Sequence, residues 1–416
     1  MNEQQSRVLD FWIGVPLCFL LTVLRRLCGL FSLRGAVSSP PRKILFIKLA
    51  EMGAIVLSMP AFEAARRRVG RENLYLLMLV GNRPVLDLID VFPESNVLTI
   101  RDKNLWTFAH DVIALVRRCR REGIDTVIDL EGFARISAIL TFLSGARTRV
   151  GHHRFTVEGL YRGDLMTHRL AVNYYNHASV QFLTMVEALD APPSELPLVK
   201  RHIELGSYEL PRFEPLTDEI NDIRRLVVQR CGREPSRPLV ILNCNLIDLL
   251  PLRRWPRDAF AALGRRILKQ NAAATLLLTG LPAERTLAEA LARDIDAVRT
   301  FVLAGDTTLR SLVVLFTQAD LLITSDCGPG HMASLAGIPT VSIFGPETPR
   351  LYAPLGAQNH ALWAGLACSP CLNAFNQRRS CCTNNVCMQS ITVDQVFDAA
   401  LAACPALRPA SAKPGA

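Results

Sequence analysis

Seven residues, Ser325-Asp326-Cys327-Gly328-Pro329-Gly330-His331, carry the densest chemical signal in this chain. The apolar run Leu321–Thr324 precedes them, and a stretch closed by Gly337 follows. This reads as a strand, a glycine-rich turn and a helix start. Such a turn offers backbone N–H groups and the positive end of a helix dipole to an anion. In an open parallel sheet, ligands sit beyond the carboxyl ends of the strands. Asp326 stands at that place, so a hydroxyl-binding carboxylate lies beside an anion cradle. The pairing suits a sugar joined to a phosphate. Gly328, Gly330 and His331 are the candidate donors, whereas Pro329 has no N–H. The alternative is a packing turn, with Asp326 capping the helix and His331 packed against it.

Arg253-Arg254-Trp255-Pro256 stands before another helical stretch, and Asn243, Asn245 and Asp248 end the strand ahead of it. A guanidinium can hold two phosphate oxygens together, which makes Arg253 the candidate phosphate ligand. A solvated surface role for either arginine is the alternative. A second strand-loop-helix, Ile44–Pro60, carries Lys48 and Glu51 in its loop. His152, His153 and His168 have no third ligand at helical or hairpin spacing, so a loop or acceptor-side role fits them better than a metal.

Together these motifs resemble glycosyltransferase family 9, the family of the lipopolysaccharide heptosyltransferases. Ser325–His331 and Phe344-Gly345-Pro346-Glu347-Thr348-Pro349 match in order and spacing, with Cys327 where Ser or Thr is usual. Arg253–Pro256 is similar to a K/R-x-W-P motif, and Ile44–Pro60 matches at Lys48, Leu49, Gly53, Val56 and Pro60. The resemblance implies an α/β fold of GT-B type, two Rossmann-like parallel-sheet domains facing a cleft. It implies donor-binding roles for Lys48, Arg253, Glu284, Asp326, Gly328, Gly330 and His331. Glu284, in a G-x-x-x-E turn, would approach the nucleotide ribose and accept from its hydroxyls. The alternative is that it favours the dipole of a first helical turn.

The activity so implied is an inverting, metal-independent transfer from a nucleotide sugar, typically ADP-heptose, to lipopolysaccharide core or another lipid-linked glycan. No cofactor is expected beyond the donor, and no Asp-x-Asp cluster appears. Backbone amides and basic side chains would then neutralise the leaving diphosphate. One position departs from the family. Its Asp, often assigned as the base, falls on Ala54, which cannot accept a proton. Glu51, three residues earlier, is the nearest carboxylate and the expected catalytic base; loop capping is its alternative. Asp129 and Glu131, at the end of a later strand, are held in reserve. Ala54 keeps two other readings open: an inactive nucleotide-sugar or glycan-binding scaffold of a surface-polysaccharide assembly complex, and a nucleotide-sugar epimerase or hydrolase of GT-B type.

The elements that must position these residues follow from pattern. A chain of 416 residues, 50% hydrophobic and 20% charged, has ample material for two folded domains. Strand-type runs at Ile44–Leu49, Leu74–Val80, Val97–Ile100 and Thr126–Leu130 alternate with helical periods, which argues a parallel α/β domain over 41–210. A second alternation defines 236–404; residues 191–238 read as Pro-rich and irregular, with the interdomain crossing near 205–238. The tail 405–416 is Pro/Ala-rich and expected to be disordered. The net charge of +9 suits phosphorylated substrates or anionic lipid. Aromatics at 7%, not interleaved with basic runs, argue against nucleic acid.

Residues 1–35 form a hydrophobic and basic, membrane-associating segment. Its uncharged run Phe11–Leu24 is short of the roughly 20 residues of a spanning helix and contains Pro16. The arginines follow the run, which disfavours a signal peptide. An in-plane or re-entrant anchor is expected, with Arg25 and Arg26 at anionic headgroups, on the cytoplasmic face of a bacterial inner membrane. A buried amino-terminal helix is the alternative. Of 12 cysteines, Cys368, Cys371, Cys381, Cys382 and Cys387 cluster. Structural thiols, a metal site and redox pairing all stay open for them.

Overall fold

The computed structural model describes residues 3–30, 40–132, 134–153, 161–206, 208, 210–246, 251–372 and 380–408. The chain divides into two compact units, Met1–Tyr208 and Glu209–Ala416. In the first, β1 (Ile44–Ile47), β2 (Leu74–Leu79), β3 (Val97–Ile100), β4 (Thr126–Asp129), β5 (Thr148–His152) and β6 (His168–Leu170) lie in the order β3-β2-β1-β4-β5-β6. In the second, β7 (Leu239–Asn243), β8 (Thr275–Thr279), β9 (Thr300–Val302), β10 (Leu321–Ser325), β11 (Thr340–Phe344) and β12 (Asn359–Trp363) lie in the order β12-β11-β10-β7-β8-β9. Every pairing is parallel. Both units are therefore doubly wound, and each reverses its strand order once, beside its first strand.

The sequence dictates this layering. Strands β1, β7, β8, β10 and β11 are buried at every position, as expected of parallel strands covered by helices on both faces. Phe46, Phe62 and Phe92 pack edge to face beneath the first sheet, and Trp255 meets Phe260 at 4.8 Å beneath the second. The loops beyond β1 and β4, and beyond β7 and β10, fall where the winding reverses. Ligands bind open α/β sheets at such points.

Three expectations about elements are corrected. The stretch expected to be irregular up to 238 contains a helix, Thr217–Cys231, and the Phe213 N–H donates to Leu335 O at 2.9 Å. The helical period expected between Ile44–Leu49 and Leu74–Val80 is two helices, Met52–Leu57 and Met59–Val69, and the Ser58 hydroxyl bonds back to Ala54 O at their junction. Of the tail expected to be disordered, Pro405–Leu407 form a helical turn with Leu407 buried, whereas residues 409–416, like Asp248 and residues 31–39, lie outside the described residues. Cys18, Cys119, Cys231, Cys244, Cys327, Cys404 and the clustered Cys368, Cys371, Cys381, Cys382 and Cys387 are free thiols.

The amino-terminal segment is a pair of helices, Glu3–Trp12 and Gly14–Leu30, docked on the first unit. Cys18 and Leu21 pack with Ala138, Ile139, Leu165 and Met166. Asp10 accepts the Arg135 and Ile136 N–H groups at 2.9 and 3.0 Å. It thereby caps helix Arg135–Leu143, whose own N-cap, Ala134, has no acceptor. Arg25 and Arg26, both expected at headgroups, instead pair with Asp164, at 2.8 and 3.6 Å. The Asp164 N–H donates to the Thr22 hydroxyl, and that contact makes the arginines' partner available beside the helix.

Candidate functional site

In the first unit the loop after β1 is set by one carboxylate. Glu131 Oε1 accepts from Lys48 Nζ at 2.8 Å, Leu49 N at 2.9 Å and Ala50 N at 3.1 Å. Glu131 leaves β4 and the loop leaves β1, so the contact bridges the two strands at the reversal point. Lys48, expected to bind the donor, is buried and ion-paired with this carboxylate. Glu131 thus clamps the loop, which argues against its reserve role as base. Asp129 is enclosed completely; it accepts from Ser137 Oγ and the Glu131 N–H at 3.0 Å each, and pairs with the equally buried Arg162. Burial pushes its carboxyl up to about 6, the Arg162 guanidinium opposing. With no exposed surface, Asp129 cannot meet an acceptor hydroxyl.

Glu51 differs from both. It is exposed, and it sits at the start of helix Met52–Leu57 with φ 70° and ψ 94° without capping it. A side-chain-bearing residue at positive φ is strained, and such strain concentrates at functional positions. The carboxylate is thereby presented at the loop's tip, directly after the segment that Glu131 fixes. Ala54 lies in the first turn of the same helix.

His152 and His168, expected on a loop or acceptor surface, are buried in β5 and β6. Burial lowers the pKa of His168, so it is neutral at pH 7.

In the second unit, Asp326 leaves β10 and its N–H donates to Ile343 O at 2.9 Å. Arg253 Nη1 stands 3.6 Å from Asp326 Oδ2, across the second reversal point. The turn carrying Arg253 is built firmly. Trp255 is buried with Nε1 on Ile391 O at 2.9 Å, and Asn385 Nδ2 holds Leu252 O and Arg254 O at 3.2 and 2.9 Å. Arg254 is not a free surface cation; it donates to Leu246 O at 3.0 Å. Asn243, at the end of β7, bonds Thr279 and accepts from the Cys327 thiol at 3.6 Å. Burial raises that thiol to about 12, so it is a neutral donor.

Helix Gly328–Ala336 starts immediately beyond. A Cβ on Gly328 would meet nothing within 4 Å, so this helix start is open to a ligand. The Gly330 N–H, expected to face phosphate, turns back to Cys327 O at 3.2 Å. His331 is buried under the turn. Glu284 is buried too; its Oε2 accepts the Leu281 N–H at 2.6 Å, and its own N–H donates to Leu281 O at 2.9 Å, closing the turn. The Oε2 bond explains Gly280, where a Cβ would come within 2.7 Å of that oxygen.

One residue of this cluster had no role assigned from sequence. Glu347, in the loop after β11, is 3% exposed. Burial, with the nearby Asp326 charge adding to it and the Arg253 charge opposing, raises its carboxyl to about 8. At neutral pH Glu347 therefore carries its proton while Asp326 faces Arg253. The sequence signal was available: Glu347 is the one ionisable residue in the loop leaving the strand beside β10. A carboxylate, a protonated carboxyl, a guanidinium and a helix N-terminus thus converge at one sheet edge. That set can bind hydroxyls and an anion together.

The chain matches the family model "Glycosyltransferase family 9 (heptosyltransferase)" over residues 112–380. It is 23% identical over 335 residues to lipopolysaccharide heptosyltransferase 1 of Pseudomonas aeruginosa, covering 79% of this chain and 86% of that protein. Among solved structures, a glycosyltransferase family 9 protein of Veillonella parvula superposes with a TM-score of 0.65 at 19% identity, covering 87% of this chain and 97% of its own. The ADP-heptose LPS heptosyltransferase II of E. coli gives 0.63 at 16% identity, with 87% and 98% covered.

Proposed function

The chain belongs to glycosyltransferase family 9, and on that premise we propose that it transfers a sugar, by inversion and without a metal, from a nucleotide donor to a lipid-linked glycan such as lipopolysaccharide core. The observation that carries this reading is the Arg253–Asp326 pair at the open start of helix Gly328–Ala336. Arg253 and the helix start receive the donor diphosphate, where charge grows as the glycosidic bond breaks. Asp326 and protonated Glu347 bind sugar hydroxyls. Glu284 holds its turn through Leu281 and presents its remaining acceptor capacity to the ribose. Lys48 and Glu131 fix the loop of the first unit, and Glu51 takes the proton of the attacking hydroxyl. ADP-heptose is the first donor to test, since the E. coli relative carries that donor in its name. The setting that fits a lipid-linked acceptor is the cytoplasmic face of a bacterial inner membrane.

A donor screen by thermal shift tests the reading. At about 100 times its dissociation constant, a donor that binds only the folded state adds ~2.7 kcal/mol of stability. ADP-heptose should stabilise the wild type, and Arg253→Ala should abolish the effect. No shift with ADP-, UDP- or GDP-sugars would remove the reading.

A further inference from the structure

We propose that the amino-terminal helices form an in-plane anchor that seats this chain on an anionic phospholipid bilayer. Between Gly14 and Leu27 the buried positions are Gly14, Cys18, Leu21 and Thr22, at helical spacing. The opposite face presents Phe19, Leu20, Val23, Leu24 and Leu27, each between 38% and 62% exposed. Trp12, 71% exposed, extends it at the amino end. A continuous apolar face on a well-held helix marks an interaction surface. Mean hydropathy over Val8–Leu27 is 1.8.

The docking contacts decide between crossing the bilayer and lying on it. Asp10 caps helix Arg135–Leu143 and pairs with the Arg135 guanidinium at 3.0 Å. Thr22 accepts from the Asp164 N–H at 2.9 Å, and Arg25 pairs with Asp164. Gly163 admits this approach: a Cβ there would stand 2.7 Å from the Thr22 hydroxyl and 2.8 Å from Cys18 O. A crossing helix would abandon these bonds and carry Asp10 and Arg25 towards hydrocarbon. A docked helix meets lipid with its outer face alone.

Charge selects the partner. Asp10 is the one acid between Val8 and Leu27, and it is bonded inward. Arg26, 3.6 Å from Asp164 Oδ2 yet with 57% of its side chain exposed, lies at the carboxyl end of the apolar face. An aromatic at one end, aliphatics along the middle and a cation at the other end match an anionic leaflet. A lipid-linked acceptor would lie in the plane where this face docks.

The test is flotation of the full-length protein, without donor, on phosphatidylglycerol-containing and on pure phosphatidylcholine vesicles. Binding should be stronger to the anionic vesicles. Phe19→Glu with Leu24→Glu should lower it about tenfold or more, because the apolar face supplies most of the affinity. Its circular dichroism and melting should match wild type, since both side chains face outward. Arg26→Glu should weaken binding to the anionic vesicles alone. Undiminished flotation of the double variant would overturn the proposal. So would a lipid-free dimer that the double variant dissolves, with no vesicle binding, which would make the face a contact between copies. Resistance to alkaline extraction with the amino terminus protected inside the vesicles would show spanning, and would also overturn it. Flotation reads no turnover, so its failure beside intact sugar transfer would remove the anchor and leave the enzymatic reading in place.

Discussion

Three carboxylates near the first reversal point have the same chemistry and three different environments. Asp129 is enclosed with Arg162, Glu131 receives three donors, and Glu51 is displayed at the loop tip. Of the three, Glu51 alone is exposed, which is why the role of base is proposed for it. Sequence could place all three near the same strand ends, but burial alone separates them, and burial is a property of the fold. Glu347 makes the same point in the second unit. Its type and position were legible; its protonation was not, because that arises first from burial and then from the nearby Asp326 charge. The consequence is a pH dependence. Glu347 rises from 4.5 to about 8 on folding, so the folded state holds a proton that the unfolded chain has released. Its contribution to stability is fully present below about pH 4.5 and is lost as pH rises through about 8. Glu347→Gln should flatten that part of the profile in denaturant titrations between pH 5 and 9. A wild-type slope retained in the variant would assign the dependence elsewhere.

Among the elements, the long-range cap supplied by Asp10 is the contact that local sequence could not reveal. Helix Arg135–Leu143 begins after Ala134, and its acceptor comes from 125 residues away. Asp10→Ala should cost about 0.5–2 kcal/mol in denaturant unfolding, the usual value of an N-cap. It removes the Arg135 ion pair as well, so the upper part of that range is expected. Gly163, at φ 71° and against Thr22 and Cys18, should tolerate alanine poorly. Gly163→Ala should loosen the amino-terminal helices, read as faster proteolysis near residue 30, while β1 to β6 stay protected. The apolar run that predicts this segment was plain in the sequence. Its docked geometry was not, because Asp10, Thr22 and Arg25 look like ordinary polar residues until Arg135 and Asp164 are beside them.

For the whole molecule, two sheets with the same winding explain why the sequence was informative where it was. The strands that bracket each reversal point are fully buried aliphatic runs, and those were readable. The short outer strands β5 and β6 carry Arg149, His152, His168 and Arg169, so their pattern does not announce a strand. The helix Thr217–Cys231 was hidden between prolines. In the second unit Arg253, Glu284 and Asp326 could be singled out in the sequence, whereas the inward bond of Gly330 and the burial of His331 and Glu347 come from packing; in the first unit the sequence showed only the departure at Ala54. The most direct measurement is acceptor-dependent release of ADP from ADP-heptose by the wild type and by Glu51→Gln, with donor binding checked in both. The account predicts release only when a lipopolysaccharide-core acceptor is present, and a fall of roughly 100- to 10,000-fold in Glu51→Gln with donor binding kept. Wild-type turnover in Glu51→Gln, or release that needs no acceptor, would contradict it.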